Sequence, residues 1–223
     1  MLATDSLRRL EGRTREAYRS LREDGPEFIL TWARVRNSVR GWLTGPDARL
    51  LFAFAQRGPG RGAIVEIGSA WGRSTIVLAK GSKSVGRERI YAIDPHTGDP
   101  WYLEEQQVVG FSSLDAFRVN LRKYGVADWV IPVVSTSREA AQALDTGPVR
   151  LLYVDGLHTY EGVKTDIDMW LPRVISGGIV LFDDYTNTKP GVGVRQAVDE
   201  LLTSGTVAPA LQVGERLTWT VKR

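Results

Sequence analysis

The run Ile64-Val65-Glu66-Ile67-Gly68-Ser69-Ala70-Trp71-Gly72-Arg73-Ser74-Thr75 limits what this 223-residue chain can fold into more than any other stretch. An apolar β-branched run of this kind reads as a strand buried on both faces. Gly68 and Gly72 let the backbone turn tightly and come close to a ligand. A helix-compatible run, Ile76 to Lys80, follows. Ser74 and the first N–H groups of that helix are suited to face an anionic group.

The alternation of strand and helix continues to the C-terminus. Strands are expected at residues 63–67, 89–93, 129–134, 150–154 and 179–182, with helices at 73–82, 113–124, 137–144, 160–170 and 193–202. Ser176-Gly177-Gly178 reads as the turn into the fifth strand. Two alternating stretches, 207–213 and 217–221, flank Gly214-Glu215 and read as an antiparallel hairpin. Such a pattern specifies an α/β fold, a mostly parallel sheet with helices on both faces. Before it, residues 5–24, 27–39 and a third run opening at Gly45-Pro46 are helical in pattern, broken by Gly25-Pro26 and Gly58-Pro59-Gly60. The chain divides into a helical N-terminal extension (1–60) and a main domain (61–223). The extension is either a cap over one sheet face or a lid or dimer contact with Trp32 and Trp42 at a substrate mouth. Such extensions often make subunit contacts, so a homo-oligomer is expected.

Composition removes several function classes. There are no cysteines, so disulfides, thiolate metal sites and cysteine nucleophiles are excluded. Apolar and charged contents of 43% and 25% fit a globular domain, with no membrane-length apolar run and no signal-peptide core, so a cytoplasmic protein is expected. The N-terminal arginines alternate with acids (Arg8, Arg9, Glu11, Arg13, Arg15, Glu16) as an ion-paired helical face does. With a net charge of only +3 and no clustered basic surface, no nucleic-acid partner is expected.

Ligands of open α/β sheets bind beyond the carboxyl ends of the strands. Four expected strands carry acids there: Glu66, Asp94, Asp155 and the pair Asp183-Asp184. Asp94 can accept both ribose hydroxyl hydrogens, or simply start an Asp-Pro turn. Ser135 reads as a helix N-cap, with Arg138 and Glu139 in the first turn. The richest constellation is Val154-Asp155-Gly156-Leu157-His158 with Leu181-Phe182-Asp183-Asp184-Tyr185. Its three carboxylates would repel one another, and neither motif contains Lys or Arg. A hard divalent ion is then the natural counter-charge, and Mg²⁺ suits oxygen ligands. His158 has a pKa suited to proton transfer near neutrality.

The spacing Glu66-x-Gly68-x-x-x-Gly72 is not the dinucleotide fingerprint, which disfavours a nicotinamide-dependent oxidoreductase. It resembles the first motif of class I S-adenosylmethionine-dependent methyltransferases. That resemblance implies a Rossmann-like, seven-stranded sheet closed by the hairpin. It implies a cofactor held by Glu66, Gly68, Ser69, Gly72, Ser74 and Asp94, with Ser137 and Arg138 where the family contacts adenine. Asp155-x-x-His158 followed by Asp183-Asp184 resembles the metal-dependent small-molecule O-methyltransferases of the macrolide-sugar and catechol types. The catechol-type enzymes carry Lys at the position of His158 and Asp-Asn at the pair, so the macrolide-sugar type is nearer. The resemblance covers residues 60 to 200. It implies Mg²⁺ on Asp155, Asp183 and Asp184, His158 as general base, and a small-molecule hydroxyl as acceptor. A phenol or catechol acceptor, or a non-catalytic nucleotide-binding protein of the same fold, are the rival readings.

Overall fold

The computed structural model describes residues 25–98, 103, 110–213 and 216–223. The helix expected at 5–24 lies outside them, as do Asp99-Pro100-Trp101 and the hairpin turn Gly214-Glu215. Among the described residues two helices come first, α1 (Pro26–Ser38) and α2 (Gly45–Arg57), followed by β1 (Ala63–Ile67) and α3 (Arg73–Lys83). The chain continues through β2 (Ile90–Ile93), α4 (Leu114–Lys123), β3 (Val130–Val133), α5 (Ser137–Ala143) and β4 (Val149–Val154). Next are α6 (Tyr160–Trp170), β5 (Val174–Phe182), α7 (Val194–Thr203), the short β6 (Leu211–Val213) and β7 (Leu217–Val221).

The strands run in the order β3-β2-β1-β4-β5-β7-β6. β1 to β5 are parallel, and β7 pairs antiparallel with β5, Leu181 opposite Trp219. These six strands form the body of the sheet. The three residues of β6 pair antiparallel with the outer edge of β7. The expected strand 207–213 is thus shorter, with Val207 making only an isolated bridge to Lys222.

Alternate strand residues feed two apolar layers. Ile64, Ile90, Leu151 and Leu181 pack with α1 to α4, whereas Val65, Ile93, Leu152 and Phe182 pack with α5 to α7. Burial on both faces explains why these strands read as continuous apolar runs. Of the two N-terminal helices, α2 is tied in by Arg150, a buried cation on β4. Its guanidinium donates to the carbonyls of Phe54 (2.9 Å) and Ala55 (2.6 Å) in the last turn of α2, and to Glu88 Oε2 (2.8 Å).

Two expectations are corrected. Ser176-Gly177-Gly178 is not a turn before the fifth strand but lies inside β5. Val149 pairs with Val174 while Leu151 pairs with Ile179, so β5 carries extra residues in a bulge. Gly177, at a φ of +81°, supplies the left-handed residue that the bulge needs. The N-cap of α5 is Thr136 rather than Ser135. Thr136 and Glu139 bond reciprocally in a capping box, and that choice is set by where the helix begins.

Candidate active site

The tips of β1, β2 and β4 are stitched together by backbone. Gly68 N–H donates to Ile93 O, and Asp155 N–H donates to Ile67 O, both at 2.8 Å. Gly68 has a φ of +89°, and a Cβ built on it would lie 1.8 Å from the carbonyl oxygen of Asp155. No side chain fits there, which fixes the identity of this residue physically. Asp94, just past β2, is gripped by two backbone donors, Ala70 N–H at 2.7 Å and His96 N–H at 2.6 Å. The contact reaches from β2 to the β1 loop, so it orients the carboxylate and the loop together.

Glu66 lies beneath the loop, fully buried. Thr75 Oγ1 donates to Glu66 Oε2 at 2.5 Å, and the Ser74 hydroxyl also bonds the carboxyl, tying β1 to the first turn of α3. Burial raises the carboxyl to about 8, against the two hydroxyls that lower it. The carboxyl is therefore largely protonated at neutral pH.

Above the sheet edge opens a cavity of about 770 Å³. Of the residues singled out from the sequence, Gly68, Asp94, Ser137, Arg138, Asp155, His158 and Asp183 line it. Glu66, Ser69, Gly72, Ser74 and Asp184 are not among its lining. Ser74 turns inward to Glu66, and Gly72 is the left-handed N-cap of α3. Trp42 and Leu43, from the connection between α1 and α2, form part of the wall, and Trp32 does not. Trp71 anchors an aromatic group at this wall, with ring centroids 5.8 Å from Trp42 and 5.7 Å from Phe111. The Arg40 guanidinium lies 4.6 Å from the Trp71 ring.

At the β4 and β5 tips the acids converge. His158 Nε2 lies 3.5 Å from Asp155 Oδ1 and 3.6 Å from Asp184 Oδ2. Tyr153 OH donates to Asp155 Oδ2 at 3.1 Å. Burial, then the charge of Asp155, holds the Asp183 carboxyl well above the ordinary carboxylate range. Asp184 adopts a left-handed φ of +56°, which Asp tolerates better than most residues.

Neither acidic motif contains a Lys or Arg, yet a cation from elsewhere in the chain supplies part of the counter-charge expected of a divalent ion. Arg216, immediately before β7, donates to Asp183 Oδ2 at 3.0 Å and pairs with Asp184 Oδ1. The antiparallel placement of β7 beside β5 delivers it, although it lies 33 residues from Asp183. Arg216 partly neutralises the pair, while Asp155 has His158 beside it. Asp184 Oδ2 also accepts from Asn187 at 3.0 Å. Asp155, His158 and Asp183 each bring one ligand atom within 4.8 Å of the others. That compact set has the donor chemistry of a divalent-cation site, whereas Asp184 is committed to Arg216 and Asn187.

Sequence reasoning missed Arg216 and also Asp166, a buried acid of α6 that lines the cavity. Asp166 follows Thr165 and Lys164 and carries no local mark of burial. Among the described residues no helix is long and apolar enough to cross a membrane.

Comparison with known proteins identifies the family and the fold. A family model described as "Methyltransferase domain" matches residues 65–185, which hold the β1 loop, Asp94 and the acidic cluster. An uncharacterized protein, y4gI, of Sinorhizobium fredii (strain NBRC 101917 / NGR234) is 33% identical over 152 residues, 62% of this chain but only 15% of that protein. Among solved structures, the O-methyltransferase NovP superposes with a TM-score of 0.67 at 20% identity, covering 85% of this chain and 79% of its own. The O-methyltransferase TomG from Streptomyces achromogenes, in complex with SAM, gives 0.62 at 20% identity over 90% and 91%. The chain belongs to the methyltransferase-domain family and has the fold of class I S-adenosylmethionine-dependent methyltransferases.

Proposed function

We propose that this protein is an S-adenosylmethionine-dependent O-methyltransferase whose acceptor is a hydroxyl of a small molecule, a sugar or other polyol part of a natural product. One observation carries the reading. A single cavity joins Gly68 and Asp94 to Asp155, His158 and Asp183, and its 770 Å³ has room for a nucleoside cofactor and a small acceptor together.

Within that reading each residue has a physical task. Asp94, whose two oxygens already accept backbone N–H groups, keeps lone pairs for the ribose hydroxyls. Gly68 lets the cofactor approach the backbone, Ser69 and Gly72 shape the turn, and Glu66 with Ser74 brace it from below. Ser137 and Arg138 face the base. Trp42 and Leu43 exclude water, which strengthens every charge interaction inside. His158 Nε2 takes the hydroxyl proton, and Asp155, 3.5 Å away, stabilises the imidazolium that results. When bound, S-adenosylmethionine supplies an electrophilic methyl group on a sulfonium centre. A Mg²⁺ ion held by Asp155 and Asp183, with Asp184 kept to Arg216 and Asn187, would make the acceptor hydroxyl more acidic.

The grouping of Asp155, His158 and Asp183 favours a second arrangement, in which Nε2 is itself a metal ligand. One lone pair cannot bind both a metal and a proton, so the two roles of His158 exclude each other. The aromatic faces of Trp42, Trp71 and Phe111 suit the flat face of a sugar ring or a phenol. A panel of polyols and vicinal aromatic diols separates these acceptors.

The deciding experiment is calorimetric titration of S-adenosylhomocysteine into chelator-treated protein, with and without Mg²⁺ and with NAD as control. Binding of S-adenosylhomocysteine but not NAD is expected. Failure to bind it under either condition would refute the cofactor assignment, and the acceptor chemistry with it.

A further inference from the structure

Asp166 has no place in the chemistry above, yet it is built into the same cavity. It lies on α6 with only 4% of its surface exposed and still contributes to the cavity lining. Its Oδ2 borders the β4 tip, where a Cβ built on Gly156 would come within 3.4 Å of it. On its other side is Ser137, whose hydroxyl accepts from Trp170 Nε1 at 2.9 Å and bonds the carboxyl of Asp166. Among the described residues Asp166 makes no ion pair. A buried carboxylate has room for about four hydrogen bonds, and one hydroxyl satisfies only a fraction of that. It needs a donor, and the cavity is the side from which one can come.

Resting on the S-adenosylmethionine reading, we propose that Asp166 recognises the exocyclic 6-amino group of the cofactor's adenine. The wall around it is made by Ser137 and Arg138, past β3, and by Gly156, past β4. The ribose-binding candidate Asp94 stands past β2, between β3 and β1 in the sheet. A base reaching from Asp94 along the sheet edge comes to this wall, whereas the amino-acid end of the cofactor belongs to the β1 loop. The 6-amino group is the purine's only N–H₂ donor, so a carboxylate that accepts from it makes the site selective for adenine over purines lacking that group. Burial raises the Asp166 carboxyl to about 6, which still leaves it mostly ionised and accepting at neutral pH.

The test is calorimetry at pH 7.5 with the full chain, titrating S-adenosylhomocysteine and its analogue without the 6-amino group. Wild type is expected to bind the first roughly 10- to 100-fold more tightly, the range for a hydrogen bond to a buried charged acceptor. Asp166→Ala should weaken S-adenosylhomocysteine by that factor and leave the analogue unchanged, so that discrimination collapses. Asp166→Asn, whose amide oxygen still accepts, should keep much of it and guards against a folding defect in the alanine variant. Equal weakening of both ligands in Asp166→Ala, or equal affinity of wild type for both, overturns the assignment but leaves cofactor binding intact. Absence of S-adenosylhomocysteine binding to wild type instead overturns the proposed function, and this inference falls with it.

Discussion

Replacing Glu66 by Gln tests whether the acid beneath the cofactor loop is neutral in the folded protein. Glu66 has no solvent exposure, and its carboxyl is raised from 4.5 to about 8 by burial. The folded state therefore keeps a proton that the unfolded chain releases above its own pKa. For such a group stability is greatest below the unfolded value and falls as pH rises towards the folded one. Each pH unit in that interval removes ~1.4 kcal/mol, so wild type should lose about 3 kcal/mol from this residue between pH 5 and pH 8. Gln has nearly the shape of the neutral acid and cannot titrate. Its amide must find a partner where Glu66 Oε1 has none among the described residues, a pH-independent cost of about 1–3 kcal/mol. Urea unfolding of both proteins at pH 5, 6, 7 and 8 removes the contribution of all other groups by difference. The stability of Glu66→Gln relative to wild type should rise steadily across the series. Parallel pH curves would show that Glu66 is ionised in the fold and would refute the reasoning.

Gly68→Ala forces a methyl group onto the Asp155 carbonyl and a left-handed φ onto alanine, so a loss of about 4 kcal/mol or more is expected in chemical denaturation. Gly72→Ala meets side chains rather than backbone, the Phe117 ring at 3.0 Å and Leu121 at 3.8 Å, and should cost about 1–2 kcal/mol; equal losses would contradict the geometry. His158→Ala should lower turnover about 10²- to 10⁴-fold with S-adenosylhomocysteine affinity preserved, as a general base requires, and unchanged turnover would remove it from the mechanism. Asp183→Asn should abolish any heat of Mg²⁺ binding to the wild-type protein. If His158→Ala abolishes it too, Nε2 is a ligand rather than the base.

Features written in short, contiguous patterns were legible in the sequence. The β1 run, the glycine turn and the acids at the ends of β2, β4 and β5 depend on neighbours a few residues away, and the structure has them at one sheet edge. What depended on the third dimension was not legible. Arg216 meets Asp183 only because β7 turns back against β5, and no local pattern announces that pairing. Asp166 looks like a polar residue on an amphipathic helix, and its burial follows from how α6 packs beside Ser137 and Gly156. Glu66 was read as an acid at the ligand edge, but it stands inside β1, one residue short of the strand's end, and its side chain turns under the loop. Two adjacent glycines in a polar triplet suggest a turn as readily as a bulge, and the register of β4 against β5 decided between them.

The reach of Arg150 bears on where this protein can be divided. By pattern the helices before residue 60 look like an accessory that could be exchanged or removed. Yet α2 provides two of the three acceptors for a guanidinium sealed inside the sheet layer, and Phe54 lies edge-on to Trp219 with ring centroids 4.8 Å apart. A chain starting at residue 61 would keep Glu88 as the partner of Arg150 but strand its two terminal nitrogens, and would uncover an aromatic surface on β7. The smallest autonomous unit is therefore larger than the strand–helix repeat suggests. Recombination between relatives should carry α2 and β4 as one inherited piece, even though nearly a hundred residues separate them in the chain.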